Sequence, residues 1–178
     1  MPPHGVAALR RTIAAMSERW KPNVTVAAVI EDAGRYLLVE EHTPEGLRLN
    51  TPAGHLDPGE SPVQGAVREA LEETARVFTP QCFVGVYLAR FKRPARDEDV
   101  TYLRLAFAGN AGEADPARAL DTGIVRTLWM TLDEVRASRD RHRSALVLKC
   151  IEDYAAGRRY PVDAVHSDPT LFDPEVRR

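Results

Sequence analysis

Three glutamates, Glu69, Glu72 and Glu73, fall within one five-residue stretch. At 100° per residue, and with Glu69 set at zero, an α-helix projects Glu72 at about −60° and Glu73 at about +40°. One narrow face then carries all three carboxylates. Like charges three and four residues apart destabilise a helix by roughly a few tenths of a kcal/mol per pair, so something must offset them. A hard divalent cation does this, because carboxylate oxygens are ligands that Mg²⁺ prefers, and the ion shares its shell with waters and phosphate oxygens. Without an ion, the stripe reads as a solvated face neutralised by Arg68 and Arg76. The opposite arc (Ala66, Val77, Ala70, Val63, Val67 and Leu71) is apolar and interrupted only by Thr74. That pattern predicts a buried side with the acids facing outward.

The helix that carries these acids is predicted over 61–77. Ser61 suits the N-cap, Pro62 the first helical position, and Pro80 closes the segment. Upstream, apolar runs at 24–30 and 36–40 flank Gly34 and read as a hairpin, followed by a turn at Pro44, Glu45 and Gly46. Leu47 and Leu49 then lead through Asn50, Thr51 and Pro52 into a loop ending near Glu60. Downstream, 82–91 and 101–107 are rich in Val, Tyr, Leu and Phe and read as two longer strands around a polar excursion at 92–100. A further strand is predicted at 124–130 and a helical turn at 132–135. Leu146, Val147, Cys150, Ile151 and Tyr154 trace a last helix stopped at Gly157. Leu9, Ile13, Met16 and Trp20 form one stripe of a short N-terminal helix. The expected organisation is an N-terminal helical extension (1–20), one domain (21–160) and a C-terminal tail (161–178). Strands, a central helix, more strands and a closing helix make an α+β order.

Upstream of the acids lies Gly54-His55-Leu56-Asp57-Pro58-Gly59-Glu60, then seven residues to Arg68-Glu69. This resembles the Nudix box, Gly-x5-Glu-x7-Arg-Glu-U-x-Glu-Glu-x-Gly-U with U aliphatic, and six of its seven invariant positions are present. At residue frequencies of about 7%, such a match arises by chance roughly once in several thousand sequences of this length. The end of the box departs from the pattern: Ala75 stands for the last glycine and Arg76 for the aliphatic residue.

The resemblance to the Nudix hydrolase superfamily implies an α/β/α sandwich with a mixed β-sheet between helices, and Mg²⁺-dependent (Mn²⁺ possible) hydrolysis of a pyrophosphate linkage. It implies that Glu69, Glu72 and Glu73 are metal ligands, with Glu69 also the leading base. Glu60 and Arg68 support them, and the Ala53 carbonyl and Gly54 backbone approach the metal. Lys21 to Ala27, Pro52 to Leu56 and Arg143 to Val147 are similar to the bacterial NudJ phosphatase subgroup. That likeness implies phosphate release from nucleoside di- and triphosphates or thiamine-type pyrophosphates. The alternatives are an ADP-ribose or sugar-nucleotide pyrophosphatase and a non-enzymatic Nudix-fold ligand sensor.

Composition narrows the partners. With 178 residues, 24 basic against 26 acidic side chains and a net charge of −2, nothing advertises a nucleic-acid duplex. Two distant cysteines, Cys82 and Cys150, argue against a disulfide scaffold, and no apolar run approaches a membrane span. A cytoplasmic protein acting on a small-molecule nucleotide or pyrophosphate is expected, with oligomeric state open. A further loop acid could come from Asp97, Glu98, Asp99 or Asp121. Substrate phosphate could meet Arg90, Lys92, Arg93 or Arg96, and His55 sits beside the metal-loop glycine. Tyr87 or Phe91 could stack on a base. Arg76 could complement the helix end or reach a phosphate.

Overall fold

Strand β1 (Asn23–Asp32) is buried at every residue from Val26 to Ile30 because both of its faces are covered. The computed structural model describes residues 20–93 and 98–177. The predicted N-terminal stripe lies outside them except for Trp20, which is exposed.

Val26, Ala28 and Ile30 pack with Phe78, Phe107 and, from helix α1 (Pro62–Thr74), Ala66 and Ala70. Val29 points the other way, to Val84, Ala106, Ala108 and the Val147, Cys150 and Ile151 side chains of helix α3 (Ala145–Ala155). Short helix α2 (Leu132–Ala137) adds Val135 to that second core. Period-two alternation thus builds one layer of sheet between two layers of helix.

The sheet is mixed. Strand β1 runs parallel to β6 (Glu98–Ala111) and antiparallel to the short edge strand β4 (Ala53–His55), and β6 pairs with β5 (Phe78–Arg93). Strand β2 (Arg35–Thr43) lies antiparallel between β3 (Gly46–Asn50) and β7 (Ile124–Thr131). The two groups join where Glu31 and Asp32 of β1 meet Tyr36 and Arg35 of β2. Tyr160 pairs with Phe83, and Val162 and Val165 then pack against the α1 core. No helix among the described residues is long and apolar enough to cross a membrane.

The structure corrects the sequence reading in three places. Helix α1 starts as predicted, with reciprocal bonds between Ser61 and Gln64, but stops at Thr74. Ala75 turns into the left-handed region at φ 56° and its N–H closes on the Leu71 carbonyl. Val77 is therefore off the helix and 65% exposed. Pro80 does not end the helix; it sits inside β5, opposite Gly109. The polar excursion is also shorter than read, since Lys92 and Arg93 belong to β5 and Glu98 to Val100 to β6, whose pairing outweighs their polar character.

The third correction concerns the helix face. The buried residues of α1 are Gly65, Ala66, Glu69, Ala70, Glu73 and Thr74, so two of the three acids point inward. Small side chains at 65, 66 and 70 let the helix backbone approach the sheet. Val63 and Val67 are left on the flank, only partly covered.

Candidate active site

The inward acids meet strand β4, which is only three residues long. Glu73 is 8% exposed, and its Oε2 accepts the Ala53 N–H at 2.9 Å. Glu69 lies against Gly54: a Cβ at that position would sit 2.2 Å from Glu69 Oε1. The loop between β4 and α1 is anchored by Glu60, whose Oε1 accepts the Asp57 N–H at 2.8 Å. Its two oxygens also take a forked pair of bonds from Arg68, Nη2 to Oε1 at 2.7 Å and Nε to Oε2 at 3.0 Å. Gly65 makes room for this, since a Cβ there would lie 2.7 Å from Glu60 Oε1.

Arg68 is the hub of the site. Nη1 donates to Glu69 Oε1 at 2.6 Å and to Glu72 Oε2 at 3.1 Å, while Nη2 also reaches the His55 carbonyl at 2.9 Å. One guanidinium therefore ties loop, edge strand and helix together. It holds the Glu60 carboxyl below the usual carboxylate range. Burial does the reverse to the inward acids. It raises Glu69 against the pull of Arg68, and it pushes Glu73 up to about 8, helped by the charges of Glu69, Glu41 and Asp121.

Two buried carboxylates short of positive charge are the chemistry of a hard-cation site. All the donors are oxygens, and Glu72 is half-exposed at the same end. Among the described residues no ready-made cage of three or more acid, histidine or cysteine ligands is present. Arg68 Nη1 stands between Glu69 and Glu72 and must share them with any ion. An ion that completes its shell with water and substrate oxygens fits such a partial set, and Mg²⁺ does so.

On the far side of Ala53 and Gly54 opens a cleft of about 150 Å³. His55 lines it, with its ring 6.1 Å from Tyr102, which in turn meets Phe91 edge-on at 5.7 Å. Thr25, Glu41, Asn50, Arg104 and Arg143 complete much of the lining.

The structure does not bring Arg90 and Lys92 to this cleft. As strand neighbours of Phe91 they point to the opposite face. There Arg90 forks onto Asp99 at 2.5 and 2.6 Å, and Lys92 lies 3.9 Å from the same carboxylate. Asp99 is thereby engaged away from the acids. Asp121 is beside them, its N–H donating to the Glu72 carbonyl at 2.9 Å. Arg96 and Asp97 lie outside the described residues. Arg76 reaches neither the three helix acids nor the cleft; it donates to the Gly112 carbonyl at 2.8 Å, lies 3.7 Å from Glu113 and covers the Trp129 ring. Tyr87 donates to Asp153 at 3.1 Å in the α3 core.

Sequence reasoning missed Arg104, Asn50, Glu41 and Arg143. Arg104 did leave a signal: it is a lone charge within the run Leu103 to Ala108 of a strand buried on both faces. The other three converge only through pairing of β2 with β3 and the approach of α3.

Comparison with known proteins agrees with this geometry. The NUDIX domain model matches residues 20–149. The chain is 34% identical over 148 residues to the phosphatase NudJ of Escherichia coli K12, covering 82% of this chain and 92% of that protein, and equally to its Shigella flexneri counterpart. A solved NUDIX hydrolase from Nitrosomonas europaea is 51% identical, with a TM-score of 0.75, covering 83% of this chain and 98% of that one. A MutT NUDIX hydrolase from Burkholderia pseudomallei, at 20% identity and a TM-score of 0.60, shares the fold. With its sandwich, its box and these relatives, the chain belongs to the Nudix family of hydrolases, enzymes acting on pyrophosphate bonds.

Proposed function

We propose that the protein is a Mg²⁺-dependent phosphatase that releases phosphate from nucleoside di- and triphosphates or thiamine-type pyrophosphates in the cytoplasm. One juxtaposition carries the reading: Glu69 against Gly54 and Glu73 on the Ala53 N–H bring two buried acids to the wall of the cleft. The phosphatase name of the E. coli relative supports the choice of reaction.

Glu69, Glu72 and Glu73 would hold the cation beside the Ala53–Gly54 backbone. When bound, it neutralises phosphate oxygens and lowers the pKa of its water; Mn²⁺ suits the same oxygens. Arg68 keeps Glu60, the loop and the helix in one arrangement. Glu69 Oε1 is bonded to Arg68, so Oε2 is the atom that takes a proton from the attacking water. His55, Tyr102 and Phe91 offer an aromatic wall to the planar part of a substrate.

The test is a panel of nucleotides and other pyrophosphates with and without Mg²⁺, with products identified by ³¹P NMR. Inorganic phosphate is expected. Cleavage of ADP-ribose or a nucleotide sugar into two monophosphates, with no inorganic phosphate formed, would instead indicate an ADP-ribose or sugar-nucleotide pyrophosphatase, and no Mg²⁺-stimulated turnover on any compound would indicate a ligand sensor. Glu72→Gln at saturating Mg²⁺ should lower turnover by at least about 100-fold, more than loss of a supporting contact costs. Wild-type turnover in that variant would sink the metal assignment.

A further inference from the structure

The floor of the cleft holds a cation that the proposed metal chemistry does not use. Arg104 is 7% exposed, yet its guanidinium makes a single hydrogen bond to oxygen among the described residues, Nη2 to Asn50 Oδ1 at 3.4 Å. Nε and Nη1 have no hydrogen-bond partner and are closed to bulk water. Directly across the parallel β1–β6 pairing stands Thr25, whose buried hydroxyl is also without a partner. Cys150, Glu41 and Glu73 are the neighbours that favour the charged form of Arg104. None of the carboxylates forms an ion pair with it, and Glu41 is engaged by Arg143 at 2.6 Å and by Asn50 at 3.2 Å. Glu41 thus balances one of the two arginines in the lining and leaves the other uncompensated.

A second positive feature faces the same space. Helix α3 begins at this end of the cleft, with Ser144 as its N-cap. The first turn of an 11-residue helix presents the positive end of its dipole. Arg143 to Val147, singled out in the sequence without a role, is the segment that builds this end.

We propose that Arg104, with Thr25, Asn50 and the N-terminus of α3, forms a phosphoryl-binding subsite. It takes an anionic group of a substrate that extends past Ala53 and Gly54 from the acids. This rests on the pyrophosphate reading above. A buried guanidinium without a carboxylate partner is a poor structural element but a good receptor for a tetrahedral oxyanion, which accepts several N–H bonds at once. The cleft runs from the Ala53–Gly54 backbone to the start of α3, so a substrate that reaches both the acids and Arg104 needs two anionic groups. Di- and triphosphates satisfy this requirement; monophosphates do not.

The test uses the full chain in EDTA, titrated with inorganic phosphate at constant ionic strength and followed by calorimetry and by the thermal midpoint. Wild type is expected to bind phosphate, and Arg104→Met to bind at least about tenfold more weakly while melting no lower than wild type. Arg104→Lys, which keeps the charge but loses the fork, should fall between them. With Mg²⁺ and a pyrophosphate substrate, Arg104→Met should raise KM about tenfold with kcat changed less than threefold. Absence of phosphate binding by wild type, or equal binding by Arg104→Met, overturns the subsite. If Arg104→Met does not fold, equal binding by wild type and Arg104→Lys overturns it. Because the titration contains no metal, an Arg104-dependent phosphate site that survives alongside a failed substrate panel would overturn the reaction and keep the subsite.

Discussion

The carboxylate of Glu69 fills the space in which a side chain at position 54 would begin, with Oε1 2.2 Å and Oε2 2.3 Å from where that Cβ would stand. Glycine is needed there for a close approach, not for an unusual backbone angle. Gly54→Ala should push Glu69 out of place while β4 keeps its pairing with Val26. Activity should fall by about 100-fold, with a loss of stability of roughly 1–3 kcal/mol from overpacking. Steady-state kinetics and thermal melts on one preparation check both. Normal activity would mean that Glu69 works from another position.

Arg68 bonds Glu60, Glu69, Glu72 and the His55 carbonyl together, and only a planar fork spans that set. Arg68→Lys keeps the charge and loses the geometry. Mg²⁺ affinity and kcat/KM should each drop by about 10–100-fold, as for other groups that orient metal ligands. Isothermal titration with Mg²⁺ separates this from simple unfolding, which would abolish binding altogether.

Ala75 occupies the left-handed region where the family pattern has glycine. Ala75→Gly relieves about 1–2 kcal/mol of strain, but it loses a buried methyl of about 0.8 kcal/mol and adds about 0.4–1 kcal/mol of unfolded-chain entropy. These nearly cancel, so its Tm should stay within about 2 °C of wild type. Ala75→Val places a β-branched side chain at φ 56° in a buried position, 4% exposed. Its Tm should fall by roughly 4–8 °C, equivalent to about 2 kcal/mol. Scanning calorimetry of both variants decides whether the helix exit tolerates alanine for this reason.

His142 is buried beside the Ser138 hydroxyl, 3.4 Å from Nε2, and burial lowers its pKa. Asp140 and a backbone bond at Val135 oppose that shift, and Arg139 reinforces it. A histidine depressed in the folded state is protonated more readily when unfolded, so its contribution to stability falls as pH drops below about 6.5 and levels off below the folded pKa. Paired carboxylates such as Glu60 lose their contribution only at lower pH. Glu69 and Glu73, raised by burial, act with the opposite sign in this window but are common to both proteins. The Tm of wild type should therefore fall relative to that of His142→Asn between pH 7 and 5. Parallel slopes would show that other groups govern that window.

Much of the site was legible in the chain. The spacing of Glu69, Glu72 and Glu73 puts them on one side of a helix whatever surrounds it, because 3.6 residues per turn is a local property. Ser61, Pro62 and the apolar runs of β1, β2 and β6 likewise mark local conformation. The direction that side faces is not local. Helix α1 turns Glu69 and Glu73 inward because a three-residue edge strand leaves backbone N–H and a glycine gap for them, and amphipathic pattern alone assigned that side to water.

The same division holds for the positive charges. Arginines and lysines on β5 looked suited to phosphate, but strand parity and Asp99 hold Arg90 and Lys92 off the cleft. Arg104 stands at its floor because Thr25 fixes its register and α3 closes over it. Residue types and spacing within one element determined which groups could do chemistry. Which of them meet was decided by contacts between elements distant in sequence, since burial and pairing are properties of the packed whole.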